Sequence, residues 1–243
     1  MEWTIYSAGQ AGISCAIRDD IWMNGRKEPS LVISQVRSST FPKTSRARPW
    51  RNNLAAASTK QNYIFVAIDE TIEVIEILNA STYCTVKTIE RSYKNPADLQ
   101  GYIDISHPHA VNYLYVGELG KLEVLVAADD CGVVSLWYTN SLQSPPITFQ
   151  VGGSAWGLAT HAKRRLLAVS ANPGKIYIYK LGTSVGYGMN NLLTLTGHLS
   201  NVPSISFDRT GHFLVSTSID GEIILWNLDS ASVVCRRLLP HSR

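Results

Sequence analysis

The sequence predicts an all-β fold of the β-propeller class, in which blades of four short strands repeat along the chain. One segment opens with Gly197-His198, closes with Trp226 and contains three apolar runs bounded by polar turns, which is the pattern of antiparallel strands. The spacing of 28 residues between His198 and Trp226 recurs between His109 and Trp137. A pattern that is defined in one segment and recurs in another indicates a true structural repeat.

This repeat divides residues 45–243 into about four blades, with expected ranges of about 45–100, 101–150, 151–196 and 197–239. Tyr179 is a third closing aromatic and lies roughly one blade length from both Trp137 and Trp226. Residues 1–44 contain two strand-like runs, 3–6 and 31–36, which the pattern places in no blade. Because closed propellers of this type usually have about seven blades, we expect an incomplete ring.

Four residues of the last blade, His198, Ser218, Asp220 and Trp226, are predicted to form a hydrogen-bonded tetrad. The imidazole can donate one N–H to the carboxylate and pair through its other nitrogen with the hydroxyl, which can also meet the indole N–H. Serine, histidine and aspartate are also the residue types of a hydrolase triad. Because the sequence has no G-x-S-x-G nucleophile elbow, we interpret the tetrad as structural and expect no catalytic residue.

The corresponding positions of the other blades depart from the tetrad. They hold Asp129 and Cys131 in the blade that closes at Trp137, and Ala171 and Pro173 in the blade that closes at Tyr179. We therefore expect packing alone to stabilise those blades. The adjacent acids Asp129 and Asp130 could bind a cation, but two acids in a hairpin turn are more often solvated.

Composition argues against a metal site, a cofactor or a membrane span. The four cysteines form no C-x-x-C pair, and His107 and His109 have no further predicted metal ligands. No apolar run approaches the roughly 20 residues that cross a bilayer, and the amino terminus lacks the pattern of a secretory signal. A net charge of +3 does not by itself predict nucleic-acid binding. We expect a nuclear or cytoplasmic protein with free thiols.

Two basic segments remain. One contains Lys43, Arg46, Arg48 and Arg51 and would suit phosphate contact or nuclear import; the other is the turn at 163–165. A solvated surface loop is the favoured interpretation of both.

Five short segments together go beyond a generic repeat: residues 109–112, 125–132, 154–159, 166–172 and 201–207. They resemble a fungal family of WD-repeat proteins that regulate transcription of the ribonucleotide reductase genes. The resemblance covers about residues 104–226. It implies a non-enzymatic nuclear or nucleocytoplasmic protein, linked to restraint of ribonucleotide reductase expression and to a cullin-based ubiquitin ligase as a substrate receptor. Members of this family are much longer than the present chain.

The sequence thus favours a protein-interaction scaffold that binds protein partners and no small-molecule substrate. A substrate receptor of a cullin-type ubiquitin ligase and a generic WD-repeat adaptor are the alternatives. Many such receptors carry W-D-x-R at the end of a blade, but here Asn227 follows Trp226 and Tyr138 follows Trp137. An enzyme built on a propeller and a nucleic-acid-binding protein are less favoured.

Overall fold

The all-β prediction is confirmed by the computed structural model, which describes residues 51, 53–79, 82–91, 107–182 and 189–239. These residues form four antiparallel sheets, each of four strands in sequence order, and contain no helix. Four such blades correspond to an incomplete propeller. All of them belong to one compact unit, residues 48–243. The strand-like runs predicted at 3–6 and 31–36 lie outside the described residues.

The strands follow one another as four meanders. Blade 1 contains β1 (Ala55–Ala57), β2 (Tyr63–Ile68), β3 (Thr71–Asn79) and β4 (Thr82–Ile89). Blade 2 contains β5 (Val111–Leu119), β6 (Leu122–Asp129), β7 (Val133–Tyr138) and β8 (Ile147–Gln150). Blade 3 contains β9 (Ala155–His161), β10 (Leu166–Ala171), β11 (Lys175–Leu181) and β12 (Met189–Thr196). Blade 4 contains β13 (Ser204–Phe207), β14 (Phe213–Thr217), β15 (Glu222–Asn227) and β16 (Ser232–Leu238).

The second strand of each blade shows how the blades are stacked. β6 and β10 are buried along almost their whole length, because each lies in a blade that has a neighbour on both faces. In β14 burial alternates: Leu214 and Ser216 are buried, whereas 39% of Val215 is exposed. Among the described residues, β14 of blade 4 is therefore buried through one face, whereas its other face is partly exposed.

Apolar cores fill the three interfaces between successive blades. Phe65 of blade 1 packs in a cluster with Leu125 and Trp137 of blade 2. Val126 of blade 2 lies in a cluster with blade 3 residues that include Tyr179, and a third cluster around Trp226 joins blades 3 and 4. Each closing aromatic thus packs against the preceding blade and stabilises the stack rather than its own sheet alone.

One end of the stack is formed by the turns between the first and second strands of each blade, residues 58–62, 120–121, 162–165 and 208–212, here called the inner-hairpin turns. Successive inner-hairpin turns touch. The Lys60 ammonium donates to the carbonyl of Lys121 (3.1 Å), and the Gly120 N–H donates to the carbonyl of Ala162 (2.8 Å). The stacking of blades therefore brings four chain segments that are distant in sequence onto one continuous surface.

Candidate functional site

The hydrogen-bonded network of blade 4 centres on the hydroxyl of Ser216. His198 Nε2 lies 2.7 Å from Ser216 Oγ, and the Trp226 indole donates to the same oxygen at 2.8 Å. On the other side of the imidazole, His198 Nδ1 lies 3.0 Å from Glu222 Oε2. The structure therefore brings together two of the four predicted members, His198 and Trp226, through partners that differ from the predicted ones.

The predictions for Ser218 and Asp220 are each wrong by two residues, because the network uses Ser216 and Glu222 instead. Leu214 lies opposite Trp226 and Ser216 lies opposite Ile224, so Ser216 is the diagonal neighbour of the indole on the same face. Ser218 lies beyond the end of β14, in the hairpin turn. Asp220 Oδ1 accepts from the backbone N–H of Glu222 and serves that turn. Alternation along β14 does not separate Ser216 from Ser218, because residues two apart share one face; only the end of the strand at Thr217 excludes Ser218.

Burial keeps the imidazole neutral. It lowers the pKa of His198 below its ordinary value, although the Glu222 carboxylate opposes this shift. A neutral imidazole that donates from Nδ1 to Glu222 can accept the Ser216 hydroxyl proton at Nε2, so every polar atom of the network has a partner. Arg236 Nη1, 2.8 Å from Glu222 Oε1, balances the carboxylate charge.

This arrangement stabilises the blade and does not activate a nucleophile. Ser216 is 1% exposed, and its oxygen already accepts the indole N–H. Glycine is required at position 197 because a Cβ there would lie 2.9 Å from Trp226 Cη2. The Gly-His pair at the start of the repeat is therefore explained by close approach to the closing tryptophan.

Blade 2 has a different polar network, which contradicts the expectation that packing alone stabilises it. Asp129 is fully buried, so its interpretation as a solvated turn residue is wrong. Its Oδ2 lies 3.1 Å from His109 Nδ1 and 3.0 Å from Arg91 Nη2, and its Oδ1 accepts the Val133 N–H at 2.7 Å. Arg91 follows the outermost strand of blade 1, so this ion pair joins two blades. Local sequence pattern cannot reveal a guanidinium that arrives from 38 residues away.

The neighbouring acid, Asp130, links blade 2 to blade 3. Ser154 Oγ donates to Asp130 Oδ1 at 2.6 Å, and Asn112 Nδ2 lies 3.2 Å from the same oxygen. Arg51 Nη2 lies 3.9 Å from Asp130 Oδ2, and only 8% of Arg51 is exposed. Assignment of Arg51 to a solvated basic patch is therefore wrong, since its charge faces a buried carboxylate. The other members of that predicted patch, Lys43, Arg46 and Arg48, lie outside the described residues.

Blade 3 replaces the tetrad with a packed tyrosine and a buried serine. The ring of Tyr179 lies 4.3 Å from that of Phe149, and burial raises the pKa of Tyr179 to about 12. Ser170 Oγ accepts the Gly157 N–H at 2.7 Å and donates to the carbonyl of Val202 in the next blade. Polar contacts between blades thus persist here too, at a residue that the tetrad alignment did not include.

Sequence reasoning missed Glu123, which lies at the interface of blades 1 and 2 and links the two blades. It is 4% exposed, yet it accepts from the Thr59 N–H and hydroxyl at 2.7 Å each, from the Thr139 hydroxyl at 2.8 Å, and from the Ser58 hydroxyl. Burial by itself would raise the pKa of Glu123, but these hydrogen bonds outweigh it and lower the pKa to about 2. The carboxylate therefore fixes the inner-hairpin turn of blade 1 onto blade 2.

The basic turn of blade 3 is bound to blade 4. Arg164 Nη1 donates to the carbonyl of Gly211 at 2.5 Å, and Nη2 lies 3.2 Å from Asp229 Oδ1. The same carboxylate also pairs with His212 through Nδ1. The interpretation of residues 163–165 as a solvated loop is thus wrong for Arg164, whereas Lys163 is exposed.

The chemistry available to these groups is limited by their contacts. Burial, followed by the nearby carboxylates Asp129 and Asp130, raises the pKa of the Cys131 thiol to about 12, so it is held as a poorly nucleophilic thiol. Among the described residues, no group of three or more His, Cys, Asp or Glu side chains is arranged to hold a metal ion. None of the described segments forms a helix of the length and hydrophobicity required to span a bilayer.

Comparison with known proteins places the chain in a family. The sequence model of the family described as CRT10 matches residues 29–230, which is most of the chain. The chain belongs to the CRT10 family. The chain is 28% identical over 200 residues to an uncharacterized WD repeat-containing protein of Schizosaccharomyces pombe, a match that covers 77% of the chain and 41% of that protein. It is 30% identical over 186 residues to a WD40 repeat-containing protein of Dictyostelium discoideum, covering 76% and 25%.

A shorter match is to the target of rapamycin complex subunit wat1 of Schizosaccharomyces pombe, with 33% identity over 70 residues, which covers 29% of the chain and 21% of that subunit. A chain in the crystal structure of a mitotic checkpoint complex has the same fold, with a TM-score of 0.57 and 16% identity over 84% of the chain and 61% of that chain. The chain spans less than half the length of the two WD-repeat relatives above. Fold and relatives together indicate a WD-repeat protein.

Proposed function

We propose that this protein is an interaction scaffold that restrains transcription of the ribonucleotide reductase genes from the nucleus. Membership of the CRT10 family and the resemblance of segments such as 154–159 and 166–172 support this role. The match to a target of rapamycin complex subunit supports work inside a multiprotein assembly. No observation favours the ubiquitin-ligase receptor, since the W-D-x-R signature is missing after Trp137 and Trp226.

The observation that carries the scaffold proposal is that the histidine and serine of the blade 4 network, His198 and Ser216, form a structural link. His198, Ser216 and Trp226 satisfy one another in the blade interior. In blades 2 and 3 the buried side chains of Asp129, Asp130 and Ser170 likewise make contacts between blades. The turns at the end of the stack are exposed to solvent, which suits recognition of other macromolecules.

The regulatory role is tested by removing the protein from the cells that make it and measuring ribonucleotide reductase transcripts by quantitative PCR. We expect the transcripts to rise and to return to normal when the wild-type protein is restored. A variant with Ser218 replaced by alanine is a suitable control for expression of an altered chain, because the hydroxyl lies outside the central network. Transcript levels that do not change on removal would contradict the regulatory role.

A further inference from the structure

Each of the four inner-hairpin turns carries one exposed cation at the same end of the stack. They are Lys60, Lys121, Lys163 and Arg209, in blades 1 to 4 respectively. The turns are joined by direct contacts, because Lys60 reaches the carbonyl of Lys121 and His161 Nε2 lies 3.1 Å from the carbonyl of Arg209. The cations therefore lie along a single arc rather than on separate loops.

The acids on and beside these turns are already engaged. Lys60 Nζ lies 2.6 Å from Glu118 Oε1. Asp229 is bound by Arg164 and His212, as described above. The remaining acid, Asp208, is held by its own turn, where it accepts from the Thr210 hydroxyl at 2.6 Å and N–H at 2.9 Å and from the Phe213 N–H at 2.9 Å.

The remaining cations are free for a partner. Lys121, Lys163 and Arg209 make no side-chain hydrogen bond or ion pair with any other residue in the part of the chain that the structure describes. In contrast, the half-buried Arg165 donates to the carbonyl of Gly182 at 2.7 Å. The inner-hairpin turns thus present three exposed cations without an internal partner, one on each of three successive blades.

The geometry points to an acidic segment of a partner protein as the occupant, and we propose that Lys121, Lys163 and Arg209 form its docking arc. Packed sheets lie about 10 Å apart, so cations on successive blades are separated by about that distance or somewhat more. An extended peptide advances roughly 3.3 Å per residue. A segment with an acidic residue at about every third position can therefore present one carboxylate to each cation. This inference rests on the proposed scaffold function and adds the chemistry of its partner.

A nucleic acid fits the arc less well. Its strands carry a phosphate about every 3.4 Å, so most phosphates would face no cation here. The same end of the stack carries the carboxylates of Glu118, Asp208 and Asp229, which would repel a continuous phosphate backbone. A peptide can place neutral residues opposite these acids, whereas a nucleic-acid strand cannot.

The test uses a fluorescein-labelled peptide with glutamate at every third position and serine or glycine between, titrated with the whole protein at low salt by fluorescence anisotropy. The test variant is Lys163→Glu/Arg209→Glu. The matched control is Lys175→Glu/Arg237→Glu, which makes the same charge change in the same two blades. Lys175 begins β11 and Arg237 lies near the end of β16, so both exposed cations are at the opposite end of their sheets.

We expect the test variant to bind the peptide roughly tenfold more weakly than wild type, since two exposed ion pairs are lost and replaced by repulsion. The control is expected to bind within about twofold of wild type, because its cations lie outside the arc. Equal weakening by both variants would show attraction by net charge alone and would overturn the docking arc. Tighter binding of a mixed-sequence single-stranded oligonucleotide of equal charge would overturn the assignment to a peptide.

Failure of this inference is distinguishable from failure of the scaffold function. If the peptide binds wild type and the test variant alike while removal of the protein still raises ribonucleotide reductase transcripts, the scaffold stands and the docking arc falls. If the transcripts do not respond but the peptide discriminates between the two variants, the arc stands as a binding surface and the regulatory role falls.

Discussion

Glu123→Gln offers the sharpest test of how the blades are joined. The carboxylate accepts hydrogen bonds from the inner-hairpin turn of blade 1 and from Thr139 of its own blade. Its pKa is lowered from 4.5 to about 2 in the folded protein. A difference of roughly 2.5 units corresponds to on the order of 3 kcal/mol of stability in favour of the ionised form. The amide retains one acceptor oxygen, so the expected loss at neutral pH is about 2 kcal/mol.

The pH dependence carries the stronger signature. Because the folded pKa of Glu123 lies below the unfolded one, its contribution is fully present above about pH 4.5 and is lost as the pH falls towards about 2. The glutamine variant has no such titration. The difference in unfolding free energy between wild type and variant, measured by urea denaturation, should therefore shrink from about pH 7 to about pH 3.

The control for this experiment is Glu118→Gln. Glu118 is a carboxylate on the neighbouring strand whose ion pair with Lys60 is exposed. Exposed pairs contribute little, so the expected loss is below about 1 kcal/mol. A Glu123→Gln variant as stable as wild type at neutral pH, or a difference that stays constant on acidification, would refute the reasoning.

Three further substitutions test the buried networks by urea or thermal unfolding. Ser216→Ala should cost about 2 kcal/mol because two buried groups lose their partner, whereas Ser218→Ala should cost less than about 1 kcal/mol; the reverse order would contradict the corrected tetrad. Arg91→Met should cost about 3 kcal/mol or more, since it strands the buried charge of Asp129, and a neutral effect would be evidence against the ion pair. Burial lowers the pKa of His198, so stability should fall as the pH drops below about 6.5, and His198→Asn should remove that part of the pH dependence.

Much of the fold could be predicted because it depends on short-range patterns. The spacing from His198 to Trp226 and the runs of apolar residues between polar turns are local, and they indicated a blade. The predicted position of the tetrad hydroxyl was wrong for a local reason as well. Ser218 is two residues after Ser216 and would share its face, but it lies beyond the end of β14.

The contacts between blades could not be predicted from one sequence. Asp129 and Asp130 have the local appearance of solvated turn acids, and only the stacking of blades brings Arg91 and Arg51 to them. Glu123 likewise lies in an apolar strand, with donors from a turn 64 residues earlier. Long-range partners of buried charges are set by the tertiary arrangement, which no periodicity in the chain encodes.

The central claim, that this protein acts by holding partners together, is tested most directly by quantitative co-purification. The full-length protein is tagged, expressed at its natural level and isolated from nuclear extract under gentle conditions. Mass spectrometry then compares the molar amount of each recovered protein with that of the tagged protein. We predict partner proteins in amounts comparable to the bait, retained by the Lys175→Glu/Arg237→Glu control. Recovery of the protein alone would contradict the claim.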